Sequence, residues 1–542
     1  MLLKHIKLRI NSLFHLVFNS HINLSWYFIA LLFAILLILP VLYIGIGLFS
    51  PADDTWQHLS KHLLNDYIYN TTIILLGMAL LTFLLGVPAA WLVSAYNFPL
   101  RKTLSWCLIL PLSIPAYINA YTYKSLFTKG LLHTWFGIYV DVMTLQGAII
   151  VMSSVLYPYV FLVARSSFEN LPQSLIEASQ LLGKSKYYTF FKIILPITRP
   201  AIIGGLLLVL MEGLNEFGTF KYYSIQTFST GIFRAWFAMG SLPAAIRLAA
   251  CLLILVFTLL SIEKWQSRKL RFTNSQTQRP LQKKQLKGFK AFVAILICLF
   301  PFILGFAMPI LQLLHWASQV WQELSLPNFT DLIINSLTLA FISAFVVVIP
   351  ALLLNYVQRI SPQIWVQTAV RIASLGYAIP GAIIAIGSMA VLIAIDHWLS
   401  SVIISKQANL WLSGTVGGLI YAYMVRFFSV ASQPIAARWQ QISPTIDNAS
   451  WILGKNRLKT FFLVHLPLLK GSLAAAMLLV MVDVLKELPL TLILRPFNFD
   501  TLATAAFELA DDERLASASI TSLLIILVGL LPVIGLNKLL KN

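Results

Sequence analysis

Four acidic residues within apolar stretches are the residues of this chain best suited to act on a ligand. Glu212 and Glu216 lie in one stretch, and Asp483 and Glu487 lie 271 residues later in another. The i, i+4 spacing of each pair predicts that both carboxylates project from one face of a helix. A carboxylate inside a membrane span costs about 2.5–3.5 kcal/mol on insertion scales and therefore usually faces a cavity or a partner. If these stretches cross a membrane, the four acids are candidates for a substrate path.

The chemistry of such a path would be the attraction of a cation. Carboxylate oxygens are the ligands that hard metal ions prefer, and four of them around a pseudo-two-fold axis would surround a path with negative charge. The alternative is structural, because the acids could pair with Lys486 or Arg495 or lie in an exterior interface. The sequence leaves both interpretations open and gives no certain set of metal ligands.

Composition predicts that these stretches do cross a membrane. Hydrophobic residues make up 58% of the 542 residues and charged residues only 11%, whereas a globular domain carries about 25% charged residues. Runs of about 18 or more apolar residues predict transmembrane helices. Their approximate apolar cores here are 27–49, 72–96, 104–121, 145–163, 201–220, 248–262, 291–314, 333–356, 372–395, 410–425, 473–489 and 518–536. We therefore expect an all-α polytopic membrane protein with about 12 transmembrane helices.

The net charge of +19 could indicate nucleic-acid binding, but its distribution argues against that function. Basic residues concentrate before the first span, between the second and third spans, in residues 264–290, and in two inserts at 177–196 and 448–467. Alternate counting of spans puts all of these on one side, which the positive-inside rule assigns to the cytoplasm. We therefore expect contact with membrane lipid, no nucleic-acid partner, and cytoplasmic N- and C-termini.

The spacing of the repeated features predicts two tandem halves. Residues 1–263 and 291–542 would each form a transmembrane domain, joined by a basic cytoplasmic linker at 264–290. Six spans per half return the chain to its starting side, so the halves are parallel repeats about an axis along the membrane normal, not inverted ones. The linker is rich in Gln, Lys and Arg and shows no apolar period, which predicts a flexible connector.

Each half carries one basic insert with the same internal spacing. EASQLLGKSKYYTFFKIILP covers residues 177–196, and NASWILGKNRLKTFFLVHLP covers residues 448–467. A glycine in each, Gly183 or Gly454, permits a turn between two helical runs, and the Leu-Pro pair is expected to end the second run. Two matched surface helices suit a symmetric dimeric partner in the cytoplasm. The alternative is an ordinary loop with surface helices.

The two inserts resemble the coupling-helix motif of ABC-transporter inner-membrane permeases. The family pattern is E-A-A, three residues, G, nine residues, I, one residue, L-P. The matching residues are Glu177, Ala178, Ser179, Gly183, Ile193, Leu195 and Pro196 in the first half, and Asn448, Ala449, Ser450, Gly454, Val464, Leu466 and Pro467 in the second. Asn448 departs from the pattern because it lacks the acidic group, so this position cannot form a salt bridge.

This resemblance implies that the inserts dock on a separate ATPase and that the chain is a transport subunit, not an enzyme. It implies two copies of a cytoplasmic ABC ATPase, a periplasmic substrate-binding protein, no cofactor, and a place in a bacterial inner membrane. Residues 178–185 have the pattern AxxxxGKS, but a phosphate-binding loop needs a first glycine and a preceding strand, and both are missing from the pattern here.

The expected substrate rests on a further resemblance. Residues 216–237 and 486–520 resemble the corresponding segments of the fused, twelve-span permeases of ferric iron importers. This similarity implies ferric iron as the substrate. Related permeases for thiamine, polyamine, sulfate or phosphonate are alternatives. A gradient-driven secondary transporter or channel is a third possibility, although it would have no use for two ATPase-docking inserts.

Overall fold

Helices account for almost all of the regular structure. The computed structural model describes residues 24–49, 51–128, 130–268, 282–320, 326–361, 364–402 and 411–541. The helices of the first half are Leu24–Gly47, Asp54–His62, Leu64–Ala95, Arg101–Cys107, Leu110–Ser113, Ala116–Thr128, Leu131–Phe136, Leu145–Glu169, Gln173–Leu181, Lys186–Thr189, Phe190–Ile194, Leu195–Asn215, Gly218–Tyr222, Phe228–Phe233, Arg234–Ala238 and Leu242–Arg268. Those of the second half are Phe289–Phe302, Ile303–Ala307, Met308–Val320, Leu326–Ile360, Ile364–Ala373, Ser374–Ala378, Gly381–Val402, Val416–Gln441, Pro444–Ile452, Arg457–Thr460, Phe461–His465, Leu466–Lys486, Pro489–Leu494, Leu502–Asp511 and Leu515–Lys541. The predicted all-α fold class is confirmed.

The repeat in the sequence is also a repeat in the structure. In each half, three long helices pack against one another. These are Leu64–Ala95, Leu145–Glu169 and Leu195–Asn215 in the first half, and Leu326–Ile360, Val416–Gln441 and Leu466–Lys486 in the second. The middle helix of each trio begins after a capping threonine, Thr144 or Thr415, whose hydroxyl accepts a hydrogen bond from Gly147 N at 3.1 Å or Gly418 N at 3.2 Å. Such a cap satisfies a backbone N–H that has no partner inside the helix.

The first span of each half packs against the other half. Helix Leu24–Gly47 contacts Gly381–Val402 and Ile364–Ala373 of the second half. Tyr421 Oη donates a hydrogen bond to the Leu36 carbonyl at 2.8 Å across this contact.

The reciprocal contact is made by the first helix of the second half. Phe289–Phe302 packs against Leu64–Ala95 and Arg101–Cys107, and Tyr123 Oη donates a hydrogen bond to the Leu304 carbonyl at 2.6 Å. The two halves are therefore interlocked by an exchange of their first spans.

The described part of the chain has ten helices long and apolar enough to cross a membrane, or eleven if one bent pair forms a single span. The bent pair, Arg101–Ser113 with Ala116–Phe136, turns by 98° and coincides with the predicted span 104–121. The predicted span 410–425 falls on helix Val416–Gln441, which is long enough to cross but less apolar, in part because it contains Arg426. The polytopic membrane fold is confirmed, with ten or eleven clear spans where about twelve were expected.

The predicted linker is partly regular. Lys284–Gln285 forms a two-residue parallel β-pair with Tyr96–Asn97 of the first half. At the other end of the linker, helix Leu242–Arg268 continues past residue 263. Regular structure therefore extends into both ends of the predicted connector, and residues 269–281 lie outside the described part of the chain.

Candidate substrate cavity and docking hairpins

A cavity of about 280 Å³ is lined by all four of the acids predicted to act on a substrate. Glu212 and Glu216 reach it from the first half, and Asp483 and Glu487 reach it from the second. Its wall also contains Tyr117, Tyr159, Tyr377, Asn215, Arg426 and Lys486. Two carboxylates from each half therefore share one enclosed space with several polar groups.

Glu216 lies just beyond the helix that carries Glu212. Helix Leu195–Asn215 ends one residue earlier, and the backbone at Glu216 is extended, with φ −69° and ψ 129°. Its carboxylate oxygen Oε1 accepts a hydrogen bond from Thr219 N at 2.8 Å. Glu216 therefore caps the short helix Gly218–Tyr222 that follows.

Glu487 repeats this arrangement in the second half. Helix Leu466–Lys486 carries Asp483 and ends one residue before Glu487, whose backbone is extended with φ −70° and ψ 119°. Glu487 Oε1 accepts a hydrogen bond from Leu490 N at 3.2 Å. The prediction that each acid pair shares one helical face is therefore wrong, because the second acid of each pair lies at a helix break.

The cavity also contains positive charge from the second half. Arg426 Nε lies 3.3 Å from Glu487 Oε2, and the two residues are only 5% and 6% exposed. Nε and Nη1 of Arg426 form no hydrogen bond with any residue that the structure describes, so charge attraction is the main force that holds this pair. Lys486 Nζ donates a hydrogen bond to the Leu112 carbonyl at 3.2 Å.

A glycine makes room for the ion pair between Arg426 and Glu487. A Cβ atom at Gly381 would come within 2.5 Å of Arg426 Nη1 and 2.6 Å of Glu487 Oε1. The Gly381 N–H donates a hydrogen bond to Asn215 Oδ1 at 2.8 Å. Gly381 therefore lets the charged pair lie against the backbone and joins it to the end of the first-half helix.

The acids do not form a metal cage. Within the described residues, no three His, Cys, Asp or Glu side chains converge closely enough to hold a metal ion. A permeation path must bind its ion weakly enough to release it. The cavity can therefore attract a cation in transit, but the described side chains do not enclose one with a full ligand set.

Each basic insert folds as a hairpin of two short helical runs, here named the first hairpin (residues 173–194) and the second hairpin (residues 444–465). In the first hairpin, Gly183 has φ +68°, and its N–H donates to the Gln180 carbonyl at 2.9 Å. Lys184 N donates to the Ser179 carbonyl at 3.1 Å. This pair of bonds is a Schellman turn, which ends a helix with a left-handed residue.

The second hairpin has the same turn. Gly454 has φ +72°, its N–H donates to the Trp451 carbonyl at 2.9 Å, and Lys455 N donates to the Ser450 carbonyl at 3.1 Å. The prediction that Gly183 and Gly454 break the helical runs is borne out by these positive φ angles, which favour glycine.

A buried hydroxyl pair closes each hairpin. Ser179 Oγ and Thr189 Oγ1 are 2.7 Å apart in the first, and Ser450 Oγ and Thr460 Oγ1 are 2.8 Å apart in the second. The serine of the motif therefore joins the two helical runs of its hairpin and does not face a partner.

The turn of each hairpin exposes large apolar side chains. Leu181 and Leu182 are 89% and 75% exposed, and Ile452 and Leu453 are 85% and 77% exposed. The exposed residues at the start of the motif are Glu177, Ala178, Asn448 and Ala449. Because no described residue covers the hairpin tips, each presents an apolar surface suited to a protein partner.

The Leu-Pro end of the motif lies away from the tips. Pro196 and Pro467 are each the second residue of a long helix that continues from a π-helical segment, Phe190–Ile194 or Phe461–His465. The remaining partly buried positions of the motif are Ile193, Leu195, Val464 and Leu466. The prediction that Leu-Pro ends the helical run is wrong, because the first turn of a helix tolerates a proline.

The second hairpin is fixed to its half by a partly buried cluster of Asp447, Arg359 and His465. Asp447 Oδ2 lies 2.8 Å from Arg359 Nη2, and Asp447 Oδ1 lies 2.5 Å from His465 Nε2. Arg359 Nη1 also donates to the carbonyls of Trp439 and Ile442. The first hairpin is held differently, because Gln173 Nε2 donates to Glu177 Oε1 at 3.2 Å and Gln173 Oε1 accepts from Gln282 N of the linker at 3.1 Å.

Sequence reasoning missed Arg426 as a cavity residue. The sequence signal was weak, because an arginine directly after the predicted span 410–425 is common at a membrane boundary, and only the extent of helix Val416–Gln441 places Arg426 within a long helix. Tyr159 and Tyr377 carried no such signal, since tyrosines are common in membrane helices and their direction depends on packing.

Two repeated membrane halves, a cavity with charged residues from both, and one exposed hairpin per half are features of a polytopic transport permease. Residues 82–272 match the family described as "Binding-protein-dependent transport system inner membrane component". This match includes the first insert, and it agrees with the resemblance to inner-membrane permeases predicted from the sequence.

The chain is also similar to curated permeases. It is 28% identical over 518 residues to the "Fe(3+)-transport system permease protein FbpB 2" of Haemophilus influenzae, a match that covers 93% of this chain and 96% of the relative. It is 34% identical over 167 residues to the "Spermidine/putrescine transport system permease protein PotB" of Escherichia coli, covering 29% of this chain and 61% of the relative. It is 28% identical over 198 residues to the "Molybdenum transport system permease protein ModB" of Haemophilus influenzae, covering 34% and 86%. The first of these matches extends across both halves.

Proposed function

We propose that this chain is the transmembrane subunit of an ABC importer that carries ferric iron across a bacterial inner membrane. Two copies of a separate cytoplasmic ATPase would hydrolyse ATP, and a periplasmic binding protein would deliver the substrate. The N- and C-termini and both hairpins would lie in the cytoplasm, in agreement with the distribution of basic residues.

The observation that carries this proposal is the matched pair of hairpins. Both have the same left-handed glycine turn and the same buried hydroxyl pair, and both expose two large apolar residues at the tip. A gradient-driven carrier would have no use for two equal docking elements. Two equal surfaces suit two copies of one partner, since symmetric assemblies reuse the same contact.

Ferric iron is the substrate that two independent observations support best. The match to a ferric iron permease covers 93% of the chain, and four carboxylates line the cavity. Hard trivalent cations favour oxygen ligands. A polyamine is the second candidate, because 167 residues of the chain are 34% identical to part of a spermidine/putrescine permease and a polycation would also be attracted by carboxylates.

The test is uptake in cells that express the full-length chain with its ATPase and binding protein but no other iron importer. Uptake of radioactive iron(III) citrate and of radioactive spermidine is measured in parallel. A matched strain carries the same system with the nucleotide site of the ATPase disabled. We expect iron uptake that requires an active ATPase. Uptake of spermidine without uptake of iron would contradict the proposed substrate and support the polyamine alternative.

A further inference from the structure

The two halves contribute different charges to the cavity even though their folds repeat. Both supply two carboxylates, but Arg426 and Lys486 belong to the second half. The residues 271 positions earlier are Val155 and Asn215, which also line the cavity. In the first half, the two acids are therefore accompanied by an apolar residue and an amide. In the second half, the two acids are accompanied by two basic residues.

Exposure follows the same division. Glu487 is only 6% exposed and lies against the Arg426 guanidinium, whereas its first-half counterpart Glu216 is partly exposed and forms no ion pair with any residue that the structure describes. Glu212 is also partly exposed to the cavity. Asp483 of the second half is also partly exposed, but Lys486 lies three residues further along the same helix, where it neighbours Asp483 on the helix surface. The carboxylates that an incoming cation can reach with no basic residue of the same half beside them are therefore those of the first half.

We propose that a cation in transit binds on the first-half side of the cavity, at Glu212 and Glu216, while Arg426 occupies Glu487 as a built-in counterion. This inference rests on the proposed function as a cation permease and adds where in the cavity the cation binds. A cation at Glu487 would have to displace a buried guanidinium, which would then lack a counter-charge. At Glu216 no such exchange is needed, because its carboxylate accepts the Thr219 N–H and forms no ion pair with a described residue.

The inference predicts unequal effects for two equivalent acids. Glutamine at either position keeps an oxygen that can accept the capping N–H of Thr219 or Leu490, so the helix break is retained and only the charge is lost. Glu487→Gln alone would leave Arg426 buried without a partner, and its effect would mix stability with binding. The informative variant is therefore the pair Arg426→Gln with Glu487→Gln, which removes both charges together.

The experiment measures binding of terbium(III), a hard trivalent cation that favours oxygen ligands, to the purified full-length chain in nanodiscs of zwitterionic lipid. Terbium luminescence sensitised by nearby tyrosines reports the occupied site, and Tyr117 and Tyr159 line this cavity.

Glu513→Gln, at a carboxylate 77% exposed, controls for surface binding. Arg426→Lys keeps the counterion and tests whether charge, not shape, holds Glu487. Thermal unfolding of every variant is recorded alongside.

We expect Glu212→Gln and Glu216→Gln each to weaken terbium binding about tenfold or more, which corresponds to about 1.4 kcal/mol. The terbium affinities of the Arg426→Gln/Glu487→Gln pair, of Arg426→Lys and of Glu513→Gln should stay within about threefold of that of the unsubstituted chain.

An equal loss of terbium affinity in the Arg426→Gln/Glu487→Gln pair and in Glu216→Gln would overturn the proposal that the cation binds on the first-half side. A lack of terbium binding by the unsubstituted chain would overturn it as well. Failure of the proposed iron transport would be seen separately, as absent iron uptake in cells whose purified permease still binds terbium.

Discussion

Single residues set the shape of the two hairpins. Gly183 and Gly454 have φ angles of +68° and +72°, a region that costs other L-residues about 1–2 kcal/mol. A Cβ atom at either position would meet nothing within 4 Å. The requirement for glycine is therefore conformational and not steric, and it concerns only the direction in which the chain leaves the first helix.

Gly183→Pro should abolish transport while leaving the chain in the membrane. Proline fixes φ near −65° and has no N–H, so it cannot adopt the turn or donate to Gln180. The measurements are iron uptake, co-purification with the ATPase, and abundance of the chain in the membrane. We expect Gly454→Pro to have a similar but smaller effect, because the first insert matches the coupling motif more fully.

The matched control for this change is Gly137→Pro. Gly137 also has a left-handed φ, +64°, and its N–H donates to the His133 carbonyl at 2.9 Å, but it lies outside both hairpins. Normal uptake with normal ATPase co-purification in Gly183→Pro would show that the turn does not present a docking surface.

A second prediction concerns the glycine beside the cavity ion pair. Gly381→Ala would force the Arg426 and Glu487 side chains to move, since a Cβ atom would lie 2.5 Å and 2.6 Å from their ends. We expect a loss of stability on the order of 1–3 kcal/mol, as for other overpacked sites, measured by thermal unfolding in detergent. Gly204→Ala is the control, because Gly204 lines the same cavity with nothing within 4 Å of its Cβ position. Equal melting temperatures for both variants would contradict the close packing.

The four cavity acids could be found from the sequence because charged residues inside apolar runs are rare and costly. The sequence could not show that the first acid of each pair lies within a helix and the second at a helix break. Glu216 and Glu487 follow helical residues at a helical spacing, and only the extended backbone after Asn215 and Lys486 shows that they cap a new helix. The pairing of Arg426 with Glu487 joins residues 61 positions apart in sequence and depends on how two helices pack.

At the scale of elements, the hairpins combine a rigid base with an exposed apolar tip. The base is fixed by the buried Ser–Thr pairs, and in the second hairpin also by the ion pair of Asp447 with Arg359. The tips leave Leu182 and Leu453 more than 70% exposed. A partner that covered them would gain about 25 cal/mol for each Å² of apolar surface removed from water.

Leu182→Glu should weaken ATPase binding without destabilising the chain. The side chain is 75% exposed, so its replacement leaves the fold intact but puts a charge into the proposed interface. We expect at least about tenfold less ATPase in pull-downs, as for other interface hot spots. Tyr139→Glu, at a residue 68% exposed in the segment after helix Leu131–Phe136, is the control. An unchanged pull-down for Leu182→Glu would place the ATPase contact elsewhere.

The helices themselves were largely predictable, because long apolar runs have few other stable forms in a membrane. The bend of 98° after Ser113 was not predicted, although Pro115 disfavours a helical conformation at the preceding residue, Ile114. The β-pair between Tyr96–Asn97 and Lys284–Gln285 was also unpredictable, since two residues give no periodic pattern.

At the scale of the whole molecule, the exchange of first spans makes each half depend on the other. Helix Leu24–Gly47 packs on second-half helices, and Phe289–Phe302 packs on first-half helices. The buried hydroxyls of Tyr121 and Ser522 also form a hydrogen bond across the halves. Helices in a membrane associate through close packing and hydrogen bonds of this kind, so we expect these contacts to hold the halves together without the covalent linker.

The last prediction follows from this interlocking. When residues 1–275 and 276–542 are expressed together as two separate chains, they should assemble and support iron uptake comparable to that of the intact chain. The cut leaves the strand Lys284–Gln285 on the second fragment, where it can still pair with Tyr96–Asn97. Co-purification of the fragments through a tag on one of them measures assembly, and each fragment expressed alone is the control for stability. Because each first span would lack its packing partner, we expect either fragment alone to be degraded. Two fragments that are each stable alone and do not co-purify would show that the contacts between the halves are too weak to replace the linker.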